Sequence, residues 1–558
     1  MNDILAKLDT LPPVRVMDVD YVHLPLDNGD DLYLTEHGLP WLAQLLPESF
    51  WTDPAWFAAH NQRLSGTSTL YRIQTKPAGG RGRDIVLKWN RMGQDIPGET
   101  QVQELEGAEF NSPFEEFALV YELRQAGRRS SQPVRTHKPL AIYVPAGHVE
   151  MDRLGRRPYK FDVKQDSHTE ITLHPNRNYA VIYEWIKGVD ALQAVRQGLL
   201  PKEDLPALMA RVDQEMHRAG FRVRDSKAQH IILRADRSGR LVRGGDGREL
   251  YATVDFELLE RTPEYEAARR AAKRQAYLVR QARRFQASEA MPANLKLVNV
   301  MGVDYVYGRT DSTSGALWVV GRDPSLFDYF LPEKWRRTPR TKLSVVNQIY
   351  DTRTKDNIHL VWKVCRVGEQ PDMDPFKADE KRISEYGYNS PFEEIALNQE
   401  LARKGIPVTY PRAVYMTGSH SRMTETLSDP SRYRSHAHLL MPDGQPVLRP
   451  GHDYMLIWGY WNGPDELLAQ KDQEYYVSIN ALQAYRQGVI TELEYLRVME
   501  VTRSRLHSVG VEDLNLRGNH LLLALDASDH LLRDETGLPQ IRICSFELLR
   551  RTTTRPIY

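Results

Sequence analysis

Residues 217–233 read His217-Arg-Ala-Gly-Phe-Arg-Val-Arg-Asp-Ser-Lys-Ala-Gln-His-Ile-Ile-Leu233, and the rest of the chain is read outward from them. Gly220 closes a helical pattern over residues 205–219, because glycine takes the left-handed conformation after a helix without steric cost. Arg224-Asp225 follows, then Lys227, then His230 directly before the apolar Ile231-Ile232-Leu233. A loop between helix and strand thus carries a carboxylate, an ammonium and an imidazole. Taken alone, Arg-Asp in a loop is common. A histidine at the start of a strand is as often a hydrogen-bonded structural residue as a ligand.

Downstream, a hairpin through Gly244-Gly245 leads to Ala252-Thr-Val-Asp-Phe256, which places Asp255 a hairpin's length beyond Asp225. Upstream, residues 70–76 and 84–89 read as two strands joined by the turn Gly79-Gly-Arg-Gly82. Lys88 lies at the end of the second. Ser112-Pro-Phe-Glu-Glu opens a helix, with Ser112 as cap and Glu115 and Glu116 facing the positive end of the dipole. Strands over 139–144 and 179–183 follow, then the segment Glu184-Trp-Ile-Lys-Gly188, then a helix over 191–197.

Strand, strand with lysine, helix with glutamate, strands, linker, helices, polar loop with aspartate, hairpin ending in aspartate: this is the order of a protein-kinase-like fold. It is an α+β, bilobal design with a small β-rich lobe before a helical lobe and nucleotide between them. Phosphoryl transfer needs a lysine on the nucleotide phosphates, a glutamate holding that lysine, an aspartate orienting the attacking hydroxyl and ligands for divalent metal. The candidates are Lys88 for the phosphates, with Glu116 as its preferred partner, and Asp225 and Lys227 as catalytic residues. His230 and Asp255 are the metal candidates. The weakest part is the phosphate loop, Leu64-Ser-Gly-Thr-Ser-Thr-Leu-Tyr71. It has one glycine, so Gly66 with the hydroxyls of Ser65, Thr67 and Ser68 would have to cover the phosphates.

The same order recurs. Asn111-Ser-Pro-Phe-Glu-Glu-Phe-Ala-Leu119 returns as Asn389-Ser-Pro-Phe-Glu-Glu-Ile-Ala-Leu397, and Ala191-Leu-Gln-Ala-Val-Arg-Gln-Gly198 as Ala481-Leu-Gln-Ala-Tyr-Arg-Gln-Gly488. Phe256-Glu-Leu-Leu-Glu-Arg-Thr262 returns as Phe546-Glu-Leu-Leu-Arg-Arg-Thr552. So long a period means a duplicated domain rather than a solenoid. The expected division is residues 1–262, a basic helical linker over 263–294 read as a solvated surface helix, and 295–558. In the second copy Lys363, Glu394 and His520 are kept, while Asn515 stands for Asp225 and Ser545 for Asp255. That copy reads as a pseudokinase, with an added segment between Gly463 and Ala481.

Bulk properties fit a water-soluble chain. Hydrophobic residues make up 41% and charged residues 27% of 558, with Lys plus Arg equal to Asp plus Glu at 74 each. No net field draws it to nucleic acid. Two cysteines, Cys365 and Cys544, allow no disulfide framework and suggest a reducing compartment. Residues 1–20 contain no apolar run of the signal-peptide kind. The expectation is a cytoplasmic protein, with a peripheral contact at the inner membrane left open.

Met216-His-Arg-Ala-Gly-Phe-Arg-Val-Arg-Asp225 with His230 resembles the loop of the bacterial lipopolysaccharide core kinases, which phosphorylate Kdo and heptose sugars. Phe114-Glu-Glu-Phe-Ala-Leu-Val-Tyr-Glu-Leu-Arg-Gln-Ala-Gly127 is similar to a helical segment of the same enzymes. The likeness covers about residues 64–260, and more faintly 343–550. Val223 departs from it, since the family has histidine there. The resemblance implies an ATP-dependent phosphotransferase using Mg2+ or Mn2+ on a hydroxyl of an envelope sugar or glycolipid. A Ser/Thr protein kinase and a non-catalytic tandem pseudokinase scaffold are the alternatives.

Overall fold

The computed structural model describes residues 14–552 apart from 65, 67, 98–106, 129–133, 169, 237, 287–290, 311, 337, 345–346, 372, 375, 419–427, 462–476, 527 and 529. The chain divides into two compact units, Met1–Ala268 and Arg269–Tyr558. Each is mixed α+β and is built on a large antiparallel sheet of eight strands.

In the first unit the strands lie in the order Val14–Val16, Val19–Pro25, Asp31–Leu34, Pro139–Val144, Ala180–Glu184, Asp84–Trp89, Leu70–Gln74, Asn61–Arg63. Side chains alternate between the two faces, as the pleat requires. Val86, Val181 and Tyr183 pack with Phe114 and Phe117 of the helix Pro113–Arg128. Ile85, Leu87, Ala180 and Ile182 pack on the other face with Leu42, Leu45 and Phe50. Burial on both faces makes the Lys88 strand an apolar run, which is why it was legible in the sequence. The three strands from Val14 to Leu34 were not anticipated. Their alternation is broken by polar residues and by the turn Asp27-Asn-Gly29.

The helix Pro113–Arg128 joins two cores. Phe114 and Phe117 face the sheet, whereas Leu119, Val120 and Leu123 pack against Leu208, Val212 and Met216 of the helix Leu205–Arg218. The latter three recur every four residues, one stripe of an amphipathic helix. Small sheets of three strands (Tyr251–Thr253, Ile231–Leu233, Val189–Asp190) and two strands (Phe221–Val223, Leu259–Arg261) complete the unit.

The second unit repeats this topology strand for strand. Its large sheet runs Leu295–Val300, Val303–Thr310, Gly315–Val320, Tyr410–Met416, Tyr454–Gly459, His359–Val364, Ile349–Arg353, Arg340–Lys342, and its small sheets again have three and two strands. The expected linker is not a separate segment. Its helix, Pro263–Ala282, buries Arg274, Tyr277, Leu278 and Gln281, and Tyr277 and Leu278 join the core of the second unit with Leu295, Phe330 and Trp335. That buried set has the i, i+3, i+4, i+7 spacing of a packed helix. It was hidden in the sequence by the arginines around it. The added segment after Gly463 lies largely outside the described residues.

Candidate functional site

The loop over residues 224–230 is fixed by its neighbours. Gly220 turns the chain at φ +87°, and a Cβ there would come within 2.4 Å of the Tyr265 ring, so glycine is required on both counts. Phe221–Val223 then pairs with Leu259–Arg261. Arg224 N donates to Leu258 O at 3.1 Å, and Val254 N donates to His230 O at 3.0 Å. Both ends of the loop are thus tied to the segment that carries Asp255. His230 Nε2 lies 3.4 Å from Asp255 Oδ2.

Lys88 is buried and ion-paired with Asp255, and with Glu257 Oε2 at 3.0 Å. Burial opposes its charge, but Asp255, Glu257 and Glu116 outweigh that and raise its pKa. Burial likewise disfavours the Asp255 carboxylate, yet Lys88 and then His230 hold its pKa below the usual range. Asp255 has φ +69°. Left-handed backbone costs a non-glycine residue energy, and such strain is retained mainly where the surroundings impose it.

The structure corrects one expectation. Glu116 is not the ion-pair partner of Lys88. It is buried, accepts a hydrogen bond from Tyr183 Oη at 2.8 Å, and its Oε2 has no hydrogen-bond partner among the described residues. Burial pushes its pKa up to about 7, against the pull of Lys88. Physical competition explains the choice: Asp255 and Glu257 together offer Lys88 two carboxylates where Glu116 offers one. The preceding Glu115 has a separate task. Ser112 N donates to Glu115 Oε2 at 2.7 Å and Glu115 N to Ser112 Oγ at 3.1 Å, a reciprocal cap, and Lys164 pairs with the same Oε2 at 2.8 Å.

Glu257 went unremarked in the sequence, although it belongs to a repeated block. It binds Lys88, Arg91 at 2.8 Å and Ser68 Oγ at 3.2 Å. Through it Ser68, expected on the phosphate loop, reaches the cluster. Gly66 is less informative. A Cβ there would meet nothing closer than Ser68 O at 3.9 Å, so space does not demand glycine. Ser65 and Thr67 lie outside the described residues.

Asp225 accepts a hydrogen bond from Lys227 Nζ at 2.7 Å. Both line a cleft of about 670 Å³ together with Arg91, His230, Thr253 and Val254. Contacts therefore run from this cleft through His230 and Asp255 to Lys88. Among the described residues no three His, Cys, Asp or Glu side chains converge as a metal cage. His230 and Asp255 form a set of one nitrogen and one carboxylate donor; the carboxylate suits hydrated Mg2+ or Mn2+, and the imidazole favours Mn2+ over Mg2+. Among the described residues the buried His230 Nδ1 has no hydrogen-bond partner.

The second unit offers an internal control. Lys363 pairs with Glu394 at 2.6 Å and lies 3.8 Å from Glu547, the counterpart of Glu257. With serine at 545, the lysine turns to the helix glutamate. His520 Nδ1 lies 3.3 Å from Asp513 Oδ2, so Asp513 is engaged with the histidine. Asn515 occupies the Asp225 position and contacts Arg517 Nε at 2.9 Å. The left-handed backbone of Asp255 is not repeated at Ser545.

No family model matches this chain, and no curated protein matches it. Among the described residues no helix is long and apolar enough to cross a membrane.

Proposed function

We propose that the first unit is an ATP-dependent phosphotransferase acting on a hydroxyl acceptor, in a kinase-like fold, and that the second unit is its non-catalytic twin. The observation that carries this reading is the run of contacts linking Lys88, Asp255 and His230, beside a cleft that exposes Asp225 and Lys227. Lys88 would hold nucleotide phosphates. His230 and Asp255 would hold Mg2+ or Mn2+, whose chemistry when bound is to neutralise charge on the transferring phosphoryl group. Asp225 would orient the acceptor hydroxyl, and Lys227 would face the phosphoryl oxygens. The resemblance to lipopolysaccharide core kinases favours a sugar of an envelope glycolipid as acceptor.

The contrast between the units supports the division of labour. Both keep the lysine, the helix glutamate and the histidine, so these alone do not distinguish them. Asp225 and Asp255 are found only in the first, as is the left-handed backbone that aims Asp255. Their replacement by Asn515 and Ser545 removes both a hydroxyl-orienting carboxylate and a charged metal ligand.

The test is metal-dependent nucleotide binding by the full chain. The expected result is a Mg2+- or Mn2+-dependent thermal shift with ATP that Asp255→Asn abolishes and Ser545→Ala leaves intact. A shift that survives Asp255→Asn would contradict the assignment.

A further inference from the structure

The first unit contains a second cavity, of about 860 Å³, that the phosphotransfer reading does not use. It lies beside the segment Glu184–Lys187 and the strands Ile231–Leu233 and Tyr251–Thr253. Five basic residues line it: Arg81, Arg83, Arg135, Lys187 and Arg234. Among the described residues two carboxylates line it, Asp84 and Glu184, and both are engaged. Arg72 binds Asp84 at 3.2 Å, while Arg83 and Lys138 reach Glu184 at 3.6 and 3.2 Å. Arg83 also stacks on Trp41, its guanidinium 3.2 Å from the ring centroid. Arg81, Arg135, Lys187 and Arg234 are exposed and have no carboxylate within ion-pair distance among the described residues. Unbalanced positive charge gathered around a concavity repels itself, and bound anion relieves that repulsion.

The duplication separates what the fold needs from what this cavity is for. Thr75 N donates to Arg83 O, as Thr354 N donates to Ile358 O, so Ile358 replaces Arg83. Thr253 N donates to Arg135 O, as Ile543 N donates to Pro407 O, so Pro407 replaces Arg135. Val242 N donates to Arg234 O, as Leu532 N donates to Ala524 O, so Ala524 replaces Arg234. Three basic residues of the wall are therefore absent from a unit with the same topology. The floor changes too. Ile232 pairs with Ala252, and Leu522 with Arg542. Arg542 lies 4.8 Å over the Tyr410 ring and 5.1 Å over the Trp461 ring, with Nη1 donating to Val408 O at 2.9 Å. Where the first unit leaves space above alanine, the second packs an arginine side chain between aromatic rings.

We propose that this cavity is a binding site for a small molecule carrying two or more phosphate groups. Its volume lies in the small-ligand range. Guanidinium groups match phosphate by paired donors and keep their charge at any physiological pH. Ile232 and Ala252 add an apolar floor for the remainder of the ligand. The site is distinct from Lys88, which does not line this cavity.

Inorganic tripolyphosphate is the probe, titrated without divalent metal into the full chain by calorimetry at low salt. The wild type binds it, and raising salt weakens binding steeply. The doubly substituted Arg135→Gln/Arg234→Gln chain, whose changes are at exposed positions, binds at least about tenfold more weakly. Lys88→Ala leaves tripolyphosphate affinity unchanged. Absence of binding by the wild type overturns the proposal, as does undiminished binding by the double variant. Loss of binding in Lys88→Ala also overturns it, by assigning the anion to the nucleotide site.

Discussion

At the scale of the residue, one buried lysine lies among three carboxylates and pairs with two of them. Lys88 takes Asp255 and Glu257, and one oxygen of Glu116 has no partner among the described residues. The sequence marks all of these positions except Glu257, and it puts Glu116 first because the ranking depends on distances that a sequence does not carry. A first prediction follows from Glu116. Its pKa is raised from 4.5 to about 7, so between those values the folded chain holds a proton that the unfolded chain has released. The stability this provides is complete below pH 4.5 and is lost as pH rises through about 7. Glu116→Gln should therefore raise the melting temperature at pH 8 by more than at pH 5, a gain of up to about 3 kcal/mol. Thermal melts across that range check it, and a variant less stable than wild type at pH 8 would contradict the burial argument. A second prediction concerns Asp255. Asp255→Asn removes the charge that draws Lys88 away from the helix, so Lys88 should turn to Glu116 as Lys363 does to Glu394. A crystal structure of the variant reads this directly. Lys88 left unmoved would mean that Glu257 alone positions it.

Elements place these residues, and their legibility varied with how local the signal was. The helix cap at Ser112, the glycine stop at Gly220 and the apolar strand before Lys88 are local patterns, and the structure bears each of them out. The three strands from Val14 to Leu34 and the burial of Tyr277 and Leu278 depend on distant partners, and no apolar period announces them. The loop bearing Asp225 and His230 has both ends tied to the Asp255 segment by backbone hydrogen bonds, so its position is set by Gly220 and the short strand that follows. Gly220→Ala should lower stability by about 1–3 kcal/mol, because alanine at φ +87° is strained and its Cβ meets the Tyr265 ring. Urea unfolding measures the loss. An unchanged midpoint would show that the loop is not held this way.

Across the whole molecule, two units share one topology and differ in chemistry. Their equivalence was legible from three repeated blocks, and the structure extends it to every strand of the large sheets. The substitutions that separate them, Asn515 for Asp225, Ser545 for Asp255 and Arg542 for Ala252, fall around the same loop and strands. On the proposed reading the first unit transfers phosphate with Asp225 at the acceptor. The most direct measurement compares wild type with Asp225→Asn, in phosphate transfer from ATP to a panel of sugar and glycolipid acceptors and in nucleotide affinity. A carboxylate that orients the acceptor is worth roughly 10²–10⁴ in rate. The account predicts a loss of that size in turnover with nucleotide affinity nearly unchanged. Full turnover by Asp225→Asn on an acceptor that wild type phosphorylates would contradict it.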